Sequence, residues 1–413
     1  MITQTLGAGS ISSMMLARVC ILAGGLATGI ITARALGPEG RGQYFAVTTA
    51  AAILAQLASL GLTSSNVFLA ARDRGRIRPL LVNSVLLSLA FALICGCIVA
   101  LWGRQLGLAF GVPRPMLGAL CIIGVATLLW NLASSLLVAA ERFAALSLWQ
   151  VLNALAAVAA IAVCAARRGS PQQFAFAAAA AATLTAFGVS SAIALQSPGA
   201  LRFSPELIRM GVGFSARAYL ALVLAYLLQR SGASVLVAAG TPAEVGQYSI
   251  ASQVMDVLLI VPGSIGLVLY PFLVRQDEDL WPHVRRTAAV TTVGMLALCL
   301  VAAAVAPFIL PWIFGGAYSG AATALWGLLP AVVAYTLVSI LSQYVLTRNF
   351  PWSIVAAWAL GLGAALASGI ALTRNYGAIG AAAAQSCGAT LVCALVLLIT
   401  LRRAGSLRAE APT

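Results

Sequence analysis

The chain has 413 residues, of which 62% are apolar or aromatic and only 8% charged, and its mean hydropathy is +1.00. That balance excludes a water-soluble globular domain. The formal charge of +14 does not point to nucleic acid, because all 24 basic residues are arginines scattered at the ends of apolar runs, not gathered into a stripe interleaved with aromatic side chains.

Twelve apolar stretches follow in chain order, near residues 12–33, 43–71, 80–102, 116–140, 143–166, 174–197, 209–238, 245–272, 287–313, 321–346, 351–372 and 377–401. A spanning helix needs about 20 apolar residues, and twelve spans leave about 34 residues for each span with its connector. The predicted fold is therefore all-α, a polytopic membrane protein of about 12 transmembrane helices. Short turns at Gly37–Gly42, Arg72–Pro79, Arg275–Arg286 and Thr373–Gly377 join them. None is long enough for a catalytic lobe, so an enzyme is not expected. The first stretch has no basic leader and no cleavage site behind a short apolar core, and it reads as a span that directs insertion. The eight cysteines sit inside apolar runs with no metal-ligand spacing, where a thiol is a small lipophilic side chain. Asp277, Glu278 and Asp279 are consecutive, so they diverge as a solvated loop does, beside His283. No metal or cofactor is predicted.

Pro38, Gly42, Gln43 and Tyr44 recur at the same spacing as Pro242, Gly246, Gln247 and Tyr248, an offset of 204 residues. Each copy opens a span, the second and the eighth, with six crossings between them. An even number of crossings leaves both copies on one side, which predicts two parallel six-helix bundles, residues 1–200 and 201–401, followed by a tail over 402–413. With the N-terminus inside, fourteen arginines fall in inner loops and the tail, among them Arg72, Arg74, Arg76, Arg78 and Arg142. Seven fall outside, Arg41 among them, and three, Arg18, Arg217 and Arg230, within spans. The positive-inside rule then places both termini in the cytoplasm.

Ionisable groups within a span cost roughly 2.5 to 3.5 kcal/mol on insertion scales. Arg18 and Arg217, near the inner ends of the first and seventh spans, either snorkel to headgroups or face a cavity. Arg230 lies deeper and shares a helix face with Tyr219 and Tyr226, an arrangement suited to a phosphate or sugar ligand. The alternative is a structural pairing with Asp256 of the next span. The eighth span carries Ser249, Gln253 and Asp256 on one face and the second carries Gln56, Ser59, Thr63 and Asn66. Such stripes face either a water-filled cavity or a neighbouring helix, and their recurrence in corresponding spans favours the cavity. On this reading Arg18, Arg217, Arg230, Tyr219, Tyr226, Gln56, Asn66 and Gln253 are substrate-binding candidates, and Asp256 a candidate for ion coupling.

The segment from Arg34 to Tyr44, Arg-Ala-Leu-Gly-Pro-Glu-Gly-Arg-Gly-Gln-Tyr, resembles the turn after the first helix in Wzx-type polysaccharide flippases of the multidrug/oligosaccharidyl-lipid/polysaccharide exporter superfamily. Gly246 to Gln253, followed by Pro262, Tyr270 and Pro271, is similar to that family's seventh-to-eighth helix region. The resemblance implies two six-helix bundles whose first, second, seventh and eighth helices line a central cavity that opens alternately to either side. It implies an oligosaccharide on undecaprenyl pyrophosphate as cargo, in O-antigen (lipopolysaccharide) or exopolysaccharide biosynthesis at a bacterial inner membrane. It also implies bilayer lipids, a polysaccharide polymerase and chain-length machinery as partners, and no nucleic acid. A multidrug exporter of the same superfamily and a major-facilitator permease are the competing readings.

Overall fold

The computed structural model of the protein describes residues 8–109, 112–274, 281–346 and 351–410. Among the described residues there are twelve α-helices and three single 3-10 turns. Asp277, Glu278, Asp279, Arg275 and Arg348 lie outside them. In chain order the helices are α1 (Ala8–Ala58), α2 (Leu62–Arg72), α3 (Ile77–Ala109), α4 (Leu117–Ala139), α5 (Phe143–Ala166), α6 (Pro171–Gln196), α7 (Pro205–Ala239), α8 (Pro242–Leu258), α9 (Ile260–Val274), α10 (Trp281–Phe314), α11 (Ala321–Leu346) and α12 (Trp352–Glu410).

Ten helical stretches are long and apolar enough to cross a membrane. Two of them, Arg18–Ala58 and Trp352–Arg402, have 41 and 51 residues, twice what a bilayer accommodates. Each contains one residue that leaves the helical region, Gly37 at φ 64° in α1 and Gly377 at φ 58° in α12. A glycine at positive φ breaks the helix there without a Cβ penalty. Counting each as two gives the twelve spans expected. The turns predicted at Gly37–Gly42 and Thr373–Gly377 thus shrink to one glycine each, and Pro38 starts the second span at a position where its missing N–H costs nothing. Other loops shorten too: His283, Arg285 and Arg286, expected in a loop, stand in the first turns of α10, and α12 continues through the predicted tail to Glu410.

Packing divides the chain into two compact units, Met1–Tyr219 and Leu220–Thr413. In the first, α4 is the core helix, with 61% of its spanning window buried, whereas α3 and α5 have 17% and 6%. In the second, α11 is the core helix at 67% and α10 is peripheral at 22%. The buried cores are the fourth and tenth spans, six apart, as parallel six-helix repeats require. Both copies of the repeated motif also open an interrupted span. The second is broken between α1 and α2, where Leu60 and Gly61 take φ values of 47° and 76°, and the eighth between α8 and α9.

Prolines within spans orphan carbonyls that lipid cannot satisfy. In α10, Pro307 offers no N–H to Ala303, and the Trp326 indole of α11 donates to that carbonyl instead at 2.9 Å. Near Pro330 of α11 the Ser386 hydroxyl of α12 enters the backbone ladder, accepting from the Ala331 N–H at 3.2 Å and donating to the Gly327 carbonyl at 2.6 Å. The groove between α10 and α11 has a volume of about 770 Å³ and includes Leu296, Leu300, Trp326 and Val333. Its lining suits hydrocarbon, not a charged headgroup.

Two of the arginines counted in inner loops also act as staples. Arg78 donates to the carbonyls of Ala194 at 2.9 Å and Gly199 at 3.0 Å, and Arg142 to the Gln196 carbonyl at 3.0 Å. Asn83 closes a reciprocal pair with the Ser204 backbone at 2.8 and 3.1 Å. Arg78 and Asn83 thereby tie the end of α6 and the connector over 197–204 to α3, while Arg142, the N-cap of α5, holds the last residue of α6. Hydrogen bonds from charged donors contribute roughly 1.5 to 3 kcal/mol each. Arg78→Ala should therefore lower the thermal unfolding midpoint of the detergent-purified protein by several degrees, and an unchanged midpoint would show that the staple carries no stability.

Candidate functional site

The site grows from the α7–α8 hairpin. Thr241 and Glu244 form a capping box at the start of α8, the Thr241 N–H donating to Glu244 Oε2 at 2.8 Å and the Glu244 N–H to Thr241 Oγ1 at 3.3 Å. A reciprocal cap fixes the angle at which a helix begins and so which face it presents. From that start, Ser252 and Asp256 stand on successive turns of α8 and face Arg230 of α7.

Arg230 Nη2 donates to Asp256 Oδ2 at 3.0 Å and Nη1 to Ser252 Oγ at 3.3 Å. Its guanidinium lies 5.7 Å from the centroid of the Tyr226 ring, one turn earlier on the same helix. The ion-pair reading of Arg230 is thus realised, and of the two tyrosines expected on its face Tyr226 stands beside the guanidinium, whereas the Tyr219 hydroxyl is taken up by the Gln56 and Leu57 carbonyls. The side chains of Arg230 and Asp256 remain 19% and 38% exposed. The pair is neither sealed in the core nor free in solvent: each charge is neutralised by its partner, and both stay reachable. An enclosed pair would resist opening, because separating two charges in a low-dielectric interior is strongly unfavourable.

Behind the pair lies a fully buried polar shell that the sequence reading missed. Tyr248 of α8 donates to Gln385 Oε1 of α12 at 2.6 Å, and the Gly232 N–H of α7 reaches the same oxygen at 3.3 Å. Gln385 Nε2 approaches Met255 Sδ at 3.6 Å. Tyr335 of α11 stacks on Trp358 of α12, with ring centroids 6.4 Å apart and planes at 20°. Tyr248 belongs to the repeated motif, which was its signal. Gln385 is a lone amide in an alanine-rich run, and only its burial to 0% exposure marks it.

In the first unit, Tyr219 donates to the carbonyls of Leu57 at 2.6 Å and Gln56 at 3.2 Å, just before the break between α1 and α2. That break interrupts the stripe predicted as continuous over Gln56, Ser59, Thr63 and Asn66. Asn66 is buried and donates to Ser84 Oγ at 3.3 Å and to the Leu132 carbonyl at 3.5 Å. The stripe of the eighth span, Ser249, Gln253 and Asp256, lies within the uninterrupted α8. Arg18 and Arg217 are exposed, and Gln56 and Gln253 are half-buried. Arg41, counted among the outer-loop arginines, is 6% exposed. It donates to Thr32 Oγ1 and sits over the Tyr44 ring. Among the described residues no group of His, Cys, Asp and Glu converges in a way that would hold a metal.

A family model described as polysaccharide biosynthesis protein matches residues 9–276. No curated protein matches the chain in sequence. Among solved structures, the lipid II flippase MurJ in an inward closed conformation aligns with a TM-score of 0.78 at 11% identity, over 97% of this chain and 93% of that one. An inward-facing multidrug resistance MATE family transporter of the MOP superfamily aligns with a TM-score of 0.71 at 18% identity, over 98% and 100%. A MOP superfamily transporter from Pyrococcus furiosus aligns with a TM-score of 0.64 at 16% identity, over 97% and 95%. At these identities the likeness is one of fold.

Removing one member of a fully buried ion pair costs roughly 3 to 5 kcal/mol, because the other is left uncompensated. Asp256 is 38% exposed, so Asp256→Ala should destabilise by less, roughly 1 to 3 kcal/mol. The double variant Arg230→Ala/Asp256→Ala should recover most of that loss in thermal unfolding. Strictly additive losses would mean that the two side chains do not interact energetically.

Proposed function

The chain belongs to the polysaccharide biosynthesis protein family, and from that premise we propose that it is a flippase. Its cargo is an undecaprenyl-pyrophosphate-linked oligosaccharide, carried from the cytoplasmic to the periplasmic leaflet of a bacterial inner membrane by alternating access. The observation that carries this reading is the Arg230 guanidinium, held by Asp256, Ser252 and Tyr226 and still partly exposed. A diphosphate leaving water needs its hydration replaced. A planar guanidinium does so with paired, charge-assisted hydrogen bonds.

Asp256 makes the site reversible. In the empty state it neutralises Arg230; an arriving diphosphate, carrying more negative charge than one carboxylate, competes for the same donors. Departure of the cargo restores the pair, so the arginine never stands uncompensated in the bilayer. A cation or proton taken up by the released carboxylate would couple transport to a gradient. Arg18 and Arg217, both exposed, suit the approach of the headgroup better than its deepest binding. Tyr219, Gln56 and Gln253 complete the proposed site as polar surroundings for sugar, whereas Asn66, buried and bonded to Ser84 and the Leu132 carbonyl, is closed to cargo in this state. On this reading the two six-helix bundles, 1–200 and 201–401, exchange inward-open and outward-open states while the prenyl tail stays in lipid. Twelve crossings put both termini on one side, and the arginine bias makes that side the cytoplasm. The delivered unit would pass to a polysaccharide polymerase and chain-length machinery.

The fold likeness to a MATE transporter supports a multidrug exporter of the same superfamily as the second reading. The sign of the working charge separates them: an exporter of cationic drugs depends on Asp256, whereas a diphosphate flippase depends on Arg230. Complementation of glycan export in a flippase-null strain, at matched membrane abundance, tests this. Arg230→Ala should abolish export, and Arg230→Lys should restore a fraction if charge alone suffices and none if bidentate geometry is required. Normal export by Arg230→Ala, with drug resistance lost in Asp256→Asn, would establish the exporter instead.

A further inference from the structure

Two thiols face each other where α3 packs on α4 in the first unit. Cys95 of α3 is 7% exposed, and Cys121 of α4 is half-buried. The register of these antiparallel helices is fixed on both sides of the pair. A Cβ placed on Gly124 would lie 3.6 Å from the Phe91 ring, and one placed on Gly103 would lie 3.7 Å from Leu117. Between these contacts Cys95 falls opposite Cys121, and the two thiols share a hydrogen bond. Cys97, about 200° further round the helix, is exposed.

Beside the pair, α3, α4 and α6 form a cavity of about 330 Å³ whose lining includes Ala92, Gly96, Cys121 and Val125. Both hydroxyl protons in that lining are spent on the backbone, Ser88 donating to the Ser84 carbonyl at 2.9 Å and Thr183 to the Ala179 carbonyl at 2.7 Å. Leu89, Ile122 and Phe187, also in the lining, are exposed. The cavity therefore suits an apolar guest from the bilayer, and the Cys121 sulfur is the nucleophile such a guest meets. A buried thiol ionises reluctantly, but the neighbouring Cys95 S–H stabilises negative charge as it develops on Cys121. Cys95 lies 18 residues, about 27 Å, from the start of α3 beside Arg72 to Arg78. With those arginines in the cytoplasm, the pair stands in the outer half of the bilayer, away from cytosolic thiol reductants.

We propose that Cys95 and Cys121 are a redox-sensitive pair that closes to a disulfide when an organic hydroperoxide enters this cavity from the bilayer. The Cys121 sulfur attacks the terminal peroxide oxygen and the O–O bond breaks. The alkoxide leaves with the Cys121 proton as an alcohol, and Cys121 becomes a sulfenic acid. The Cys95 sulfur then attacks the Cys121 sulfur, and the sulfenic hydroxyl leaves with the Cys95 proton as water. One hydroperoxide gains two electrons, and two thiols lose them to form one S–S bond. The link staples α3, with 17% of its spanning window buried, to the core helix α4. This inference is independent of the reading of Arg230.

The test treats the full-length protein in phosphatidylethanolamine/phosphatidylglycerol nanodiscs with cumene hydroperoxide, unfolds it in N-ethylmaleimide and maps the cysteines by peptide mass spectrometry. The expected product is a Cys95–Cys121 linked peptide that dithiothreitol reopens, with a thermal midpoint several degrees above that of the reduced protein. Cys97→Ser should leave the link intact. In Cys95→Ser the same treatment should carry Cys121 on to the sulfinic acid, because no second thiol resolves the sulfenic acid, and the midpoint should not rise. Maleimide on both Cys95 and Cys121 in protein whose exposed Cys97 has been oxidised, a link formed by Cys97 instead, or a Cys95–Cys121 link without a rise in midpoint overturns the proposal.

Discussion

The constraint on which everything here depends is that hydrocarbon satisfies no hydrogen bond. Each carbonyl freed by a proline and each side chain able to donate must find its partner inside the protein. Trp326 covers Ala303 and Ser386 bridges the gap near Pro330. These are long-range repairs of local defects, and they set which helices stay together as rigid groups. Outside the spans, the connector over 197–204 is tied to α3 by Arg78 and Asn83.

Against that background the Arg230–Asp256 pair is unusual in using charge where neutral groups would serve packing better. Replacing a buried pair by apolar residues is often neutral or stabilising, so stability alone does not account for it. Its partial exposure, and the amide and hydroxyl groups packed behind it, fit a site whose partner can change. A transport site must bind without trapping. A guanidinium shared with a carboxylate meets that condition, because the affinity for cargo is reduced by what the resident partner already contributes.

Much of this was legible in the sequence. Apolar runs of bilayer length gave twelve spans. The repeat of Pro38, Gly42, Gln43 and Tyr44 at Pro242, Gly246, Gln247 and Tyr248 marked corresponding helix starts, and the buried fourth and tenth spans follow the same period. Helical spacing put Arg230 and Tyr226 on one face and made Asp256 an available partner, because hairpin neighbours meet by default. What escaped the reading was set by distant contacts. Arg78 finds its acceptors 116 and 121 residues away, so nothing local distinguished it from a topology signal. Arg41, expected in a turn, stands in helix because only Gly37 leaves the helical region there. The break at Leu60 escaped because a left-handed leucine has no sequence mark, and the polar stripe drawn across it was discontinuous for that reason. Gln385 was invisible because an isolated amide in an alanine-rich helix acquires meaning only from what the other helices place around it.

The proposed flippase function requires that the Arg230 guanidinium hold a diphosphate. Solid-state NMR measures this directly, as the dephasing of ³¹P in bound undecaprenyl pyrophosphate by ¹⁵N-labelled arginine side chains. The expected result is strong dephasing in the parent protein, as nitrogen within about 4 Å of phosphorus produces when N–H···O bonds form, and its disappearance in Arg230→Lys. Equal dephasing in the two proteins would assign the headgroup to other arginines and contradict the account.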